Sequence, residues 1–123
     1  MRGASSSKRR PDQVAEVIRQ VVAEALIREV RDPRISLVTV TRVEVSQDLS
    51  HARLFVTMHA EGEEREATLE GLKRASGFFR TRVSKVLSTR ITPDLAFEAD
   101  LGAEHAARIE QILGALKRGE EAP

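Results

Sequence analysis

Leu69-Glu70-Gly71-Leu72-Lys73-Arg74-Ala75-Ser76-Gly77-Phe78-Phe79-Arg80-Thr81-Arg82-Val83-Ser84-Lys85-Val86-Leu87 decides how this chain is read. Leu69, Leu72, Phe79, Val83, Val86 and Leu87 keep helical spacing, and on one straight helix they fall within an arc of roughly 100°. Helical spacing extends from about residue 65 to residue 89, interrupted at Ala75-Ser76-Gly77. Lys73, Arg74, Arg80, Arg82 and Lys85 spread over the remaining arc, so one face predicts core and the other is positive. Inside the interruption a second helix N-terminus is exposed, and its free backbone N–H groups suit a phosphate.

The positive charge is local. The whole chain of 123 residues carries 20 Lys+Arg against 19 Asp+Glu, a net charge of +1, so no chain-wide attraction for nucleic acid exists. By segment, residues 1–34 carry net +3, 35–70 net −4, 71–93 net +6 and 94–123 net −4. Between 71 and 93 there are six basic residues, with Arg90 added to the five above, and no acid. No i,i+4 partner neutralises that face from within the segment. The molecule is polarised, which is informative about partners where the total is not.

On the N-terminal side, Met1 to Arg10 is a Gly/Ser/Lys/Arg-rich stretch read as a flexible basic tail. Pro11 suits the first turn of a helix and Asp12 its positive end. Val14, Val17, Ile18, Val21, Val22, Ala25, Leu26 and Val30 then define one apolar helical face. Asp32-Pro33 is expected to end this helix. Residues 35–46 are β-branched and alternating, and predict a strand. Val38 and Val40 share one parity while Val43 and Val45 share the other, so a bulge near Thr41-Arg42 is expected. After a turn at 47–50, residues 51–60 predict a second strand with Ala52, Leu54, Val56 and Met58 inward, forming an antiparallel hairpin.

On the C-terminal side, Thr92-Pro93-Asp94 breaks the helix, and Leu95, Phe97 and Ala99 alternate through a third strand. Ala106, Ile109, Leu113 and Leu116 predict a short last helix before a polar tail. The order is α-β-β-α-α-β followed by a terminal helix, an α+β domain with a three-stranded sheet and helices over one face. The domain reading is a flexible tail over 1–10, one domain over 11–102, and a C-terminal helix with its tail over 103–123.

Chemistry that needs particular side chains is poorly served. Cysteine is absent, which excludes disulfides, thiolate metal sites and a cysteine nucleophile. His51 and His59 are eight residues apart on one strand, roughly 26 Å, too far to share a metal. His105 stands alone on the last helix. Glu61, Glu63, Glu64, Glu66 and Glu70 cluster where a helix begins, so helix-end electrostatics accounts for them. No phosphate-loop glycine pattern is present. Neither an enzyme nor a cofactor is expected. No apolar run approaches the ~20 residues of a membrane helix, and no signal-peptide stretch opens the chain, so a soluble cytoplasmic protein is expected. Four Phe and no Tyr or Trp leave little for base stacking, which points to phosphate and shape recognition.

Six segments carry a resemblance. They are Arg31-Asp32-Pro33-Arg34-Ile35, the strand from Val38 to Ser46, Asp48-Leu49-Ser50-His51-Ala52-Arg53, Ala75-Ser76-Gly77-Phe78-Phe79-Arg80, Arg90-Ile91-Thr92-Pro93-Asp94-Leu95 and Glu104-His105-Ala106-Ala107-Arg108-Ile109. Together, in this order over about residues 8–116, they resemble the ribosome-binding factor A family. The resemblance implies a KH-like domain of the second topology, with an Ala-x-Gly kink at Ala75-Ser76-Gly77 in place of the Gly-x-x-Gly clamp. It also implies a non-enzymatic bacterial assembly factor on the free small (30S) ribosomal subunit. Such a factor acts late in maturation, is linked to 5′-end processing of small-subunit rRNA, and supports growth in the cold. Mapped onto this chain, the rRNA-binding residues are Ala75, Ser76 and Gly77 with Lys73, Arg74, Arg80, Arg82, Lys85 and Arg90. Arg31 and Arg34 around the Asp-Pro turn, and Lys8, Arg9 and Arg10 in the tail, are further candidates. The expected partners are the small subunit and its rRNA, with no membrane, and the free protein is expected to be a monomer.

Two rival readings make different demands. A protein-interaction module would use the acidic segments 35–70 and 94–123 against a basic partner. A small RNA-processing enzyme would need a catalytic cluster that the residues do not supply.

Overall fold

Asp32 and Pro33 are not where the first helix stops. The computed structural model describes residues 10–33, 35, 37–88 and 90–119. Its first helix, α1, spans Pro11–Arg28 and is capped at Glu29, four residues before the proline. Pro11 opens it, and the Arg10 N–H donates to the Gln13 side chain at 3.2 Å. At the other end the Glu29 and Val30 N–H groups both reach the Ala25 carbonyl, so the chain closes off before Pro33 can. Val14, Ile18, Val22, Ala25 and Leu26 are buried, as their spacing predicts.

Two strands follow, β1 (Thr39–Val45) and β2 (His51–Thr57), paired antiparallel. The predicted parity change is real: the register shifts between Val40 and Arg42, leaving Thr41 as the extra residue. β1 is shorter than the alternation suggested, because the chain at Pro33, Ile35 and Leu37 turns instead of extending. The Ile35 N–H bonds Asp32 and the Val38 N–H bonds Ile35. That turn buries Ile35 against the next helix, where a Cβ on Gly71 would come 3.1 Å from the Ile35 side chain. β2 stops at Thr57 for the same reason, since Thr57 is paired with the first residue of β1. A strand lasts only as long as its neighbours.

The hairpin turn holds a non-glycine residue in the left-handed region, Leu49 at φ 61°. Asp48 supports it: one carboxylate oxygen accepts the Ser50 hydroxyl at 2.7 Å, the Ser46 hydroxyl at 2.8 Å and the Ser50 N–H at 3.1 Å. These bonds, Ser50 foremost, hold the Asp48 carboxyl down from 3.8 to about 2. Because folding lowers this pKa, its stabilisation is present above about pH 4 and is lost as pH falls towards 2. Asp48→Asn should therefore flatten the stability change between pH 4 and 2, read by urea unfolding across that range. An unchanged slope would show that the turn does not depend on this charge.

The predicted kinked helix appears as α2 (Gly62–Arg74) and α3 (Ser76–Val86), followed by β3 (Asp94–Ala99). β3 lies parallel to β2, giving sheet order β1-β2-β3. Val40, Ala52, Leu54, Val56, Leu95 and Phe97 meet the helices in one core with Leu72, Phe79 and Val83. The other face of the sheet stays open and charged. There Phe55, on the face opposite Leu54, lies beneath the Arg42 guanidinium at 3.7 Å and beside Arg53 at 5.0 Å.

The last helix, α4 (Leu101–Lys117), is longer than expected, with 17 residues, and begins two residues earlier than residue 103. Asp100 caps it by accepting the Ala103 N–H at 3.0 Å, and the Thr41 hydroxyl donates to the same carboxylate. Arg65 on α2 grips Glu104 through two bonds of 2.6 Å. Beyond that clamp the predicted apolar stripe is not core, because Ile109, Leu113 and Leu116 are all exposed. Among the described residues, no helix is long and apolar enough to cross a membrane.

Candidate nucleic-acid interface

Ala75 alone separates the two halves of the kinked helix, with φ −87° and ψ 1°. It serves both as the last cap of α2 and as the first cap of α3. Its N–H bonds Gly71 and Leu72 behind it, and its carbonyl accepts the Phe79 N–H at 3.1 Å ahead. One non-helical residue thus tilts the axis without leaving the chain unbonded. α3 opens with no side-chain cap. The N–H groups of Ser76, Gly77 and Phe78 belong to the first turn that an α-helix leaves without internal partners. That end of the helix carries partial positive charge.

Gly77, the last residue of the Ala-x-Gly step, lies inside the first turn of α3. Its φ is not positive, and a Cβ built on it would meet nothing within 4 Å. Neither conformation nor packing calls for glycine at this exposed position. A glycine there leaves the outer surface of the kink without a side chain.

The cations around the kink do not form one uniform face. Lys73 and Arg74 close α2 and are exposed, with Lys73 only 3.9 Å from Glu70. Lys85 is exposed near the end of α3 and, like Arg74, Arg90 and Arg31, has no ion pair among the described residues. Arg80 and Arg82 point to opposite flanks of α3. Arg80 donates to the Thr92 carbonyl at 2.9 Å and lies 3.3 Å from Asp94, tying α3 to the start of β3. Arg82 pairs with Glu29 at the end of α1 at 2.6 Å, with its guanidinium 5.0 Å from the Phe78 ring. Its Nε is buried without a hydrogen-bond partner. Both arginines are therefore struts between elements, which the sequence reading did not show. The acid-free window of 71–93 hid Glu70, one residue outside it, and the tertiary partners Glu29 and Asp94. Only Asp94, next to the helix-breaking proline, carried a local signal.

Arg31 is exposed in the segment after α1, while Arg34, Lys8 and Arg9 lie outside the described residues. Arg10 is exposed at the start of α1, at the opposite end of that helix from Arg31. Of the candidates, the structure thus brings Lys73, Arg74, Ala75, Ser76, Gly77 and Lys85 onto the paired helices with their polar groups outward or at the bare kink. Arg90 follows α3 and is exposed. Among the described residues no group of three His, Asp or Glu is placed to hold a metal.

Comparison with known proteins agrees with this architecture. The chain is 38% identical over 114 residues to ribosome-binding factor A of Halothermothrix orenii, covering 93% of each sequence. The crystal structure of ribosome-binding factor A from Thermus thermophilus superposes with a TM-score of 0.64 at 27% identity, over 72% of this chain and 94% of that one. A homology model of Thermus thermophilus ribosome-binding factor A fitted into the cryo-EM map of a 30S–RbfA complex superposes with a TM-score of 0.60 at 27% identity, over 72% of this chain and 92% of that one. The family model described as ribosome-binding factor A matches residues 10–113, and with the kinked helix pair set on its three-stranded sheet, this chain belongs to the ribosome-binding factor A family.

Proposed function

We propose that this protein is a non-enzymatic factor that binds the free small ribosomal subunit through rRNA and assists its late maturation, including processing of the rRNA 5′ end. The observation that carries this reading is the bare kink: an uncapped helix start at Ser76, an exposed glycine beside it, and cations on both sides. A phosphate placed there meets backbone N–H donors, the positive helix end and the side chains of Lys73 and Arg74, while Lys85, about 13 Å further along α3, serves a neighbouring phosphate. Arg90 and Arg31, both exposed, extend the contact, and Arg34 is a further candidate from the sequence. Arg80 and Arg82 hold α3 against β3 and α1, and so act by positioning the surface. The Thermus thermophilus relative occurs in a 30S complex, which supports the same class of partner here. Binding of this kind weakens steeply with salt and depends little on base identity.

Gly77→Ala tests the reading sharply. Alanine fits the backbone and the space, and replacing a helical glycine should leave stability unchanged or raise it by up to about 1 kcal/mol. Retention on small subunits in co-sedimentation should nevertheless fall, because the methyl group stands on the surface that must be approached. Wild-type retention together with an unchanged or higher melting midpoint would mean that the bare kink is not a contact surface.

A further inference from the structure

The opposite end of α2 borders a groove that the RNA interface leaves unused. It has a volume of about 540 Å³ and an apolar lining from Pro33, Leu37, Val38, Met58 and Ala67. Leu37 stands 73% exposed on its wall, an apolar side chain with nothing covering it. Glu64 lines the same groove, and Glu61 lines its continuation past Met58 and His59. Glu61, Glu63 and Glu64 are exposed and make no ion pair among the described residues. Two cations line that continuation, Arg65, engaged with Glu104 in a two-bond pair, and Arg108 on α4. Nothing among the groove's described lining residues is a Lys or Arg.

Apolar walls with an exposed acidic rim are the wrong surface for a phosphate backbone. They suit a chain of opposite charge that also brings apolar side chains. α2 has 13 residues, so its acidic start and its basic end at the kink are about 20 Å apart. RNA and a second ligand can therefore occupy the two ends together. We propose that this groove docks a basic protein segment of the small subunit, with an apolar side chain seated against Leu37 and Met58 and flanking Lys or Arg residues on Glu61, Glu63 and Glu64. The inference takes the small subunit as target from the function proposed above.

The absence of cysteine makes the test direct, since Leu37→Cys creates a single thiol for a benzophenone cross-linker. Lys85→Cys, labelled in the same way, reports on the RNA side. With purified small subunits, the probe at position 37 should join a subunit protein within a Lys/Arg-rich segment. Changing Glu61, Glu63 and Glu64 to Lys should cut that adduct about tenfold, as reversal of interface charges does. An adduct to RNA alone, an adduct insensitive to the charge reversal, or none while position 85 still marks RNA would overturn the proposal. A protein adduct from position 37 with no RNA mark from position 85 would leave this docking site standing and remove the RNA interface. Silence at both positions would remove both.

Discussion

Lys73→Glu, Arg74→Glu and Lys85→Glu, combined in one chain, should abolish retention on small subunits while leaving the circular dichroism spectrum and melting midpoint unchanged. These three side chains are exposed, and none anchors another element. A charged hydrogen bond to phosphate is worth about 1.5–3 kcal/mol, so losing three corresponds to roughly 10³-fold or more in affinity. The corresponding alanine variant gives a finer reading. Each phosphate contact removed should lower the slope of log affinity against log salt by about one, hence by about three in total. Arg80 and Arg82 are left out of this set deliberately. A glutamate at 82 would face Glu29, and a glutamate at 80 would face Asp94, so lost binding would be confounded with a loosened α3. Wild-type retention of the triple variant across the salt series would move the RNA surface off the kink.

That choice of residues shows where local patterns stop. Helical spacing, the parity change at Thr41 and the break at Ala75-Ser76-Gly77 are encoded within a few residues of where they act, and each is found in place. The open sheet face was legible too, because period-two alternation fixes which side chains share it. Ion pairs across elements were not legible. The absence of acids between 71 and 93 removes local i,i+4 partners only; Glu29 and Asp94 arrive through the fold. The turn at Pro33, Ile35 and Leu37 was hidden for a related reason. Its residues have strand propensity, but Ile35 gains more by entering the core beside Gly71 than by extending β1. Gly77 was legible as part of the interruption, while its φ and its surroundings were not, because a sequence shows a glycine without either.

The same limit separates two members of the stripe that first suggested the kinked helix. Phe79 and Val86 share the predicted apolar face, yet Phe79 is fully buried and Val86 is 55% exposed at the end of α3. The Phe79 ring packs 5.6 Å from Phe97 on β3 and 5.3 Å from Phe78, while its N–H makes the first bond of α3 back to Ala75. It therefore fixes α3 to the sheet and, through α3, fixes the direction in which the kink faces. Phe79→Ala should cost about 3–5 kcal/mol, through lost transfer energy and the cavity left behind. Domains of this size have a total stability of only about 5–15 kcal/mol, so the melting midpoint should fall by roughly 10 °C or more. Val86→Ala should remain within about 0.5 kcal/mol of wild type, as exposed substitutions do. Urea unfolding of the two variants side by side checks both. Equal losses would mean that the apolar stripe is uniformly buried, and a loss below about 1 kcal/mol at Phe79 would mean that α3 is held by its ion-pair struts instead. Between these outcomes lies the control that the charge variant needs: Phe79→Ala should lose subunit binding only under conditions where it also loses its fold, whereas the Lys73, Arg74 and Lys85 variant should lose binding with its fold intact.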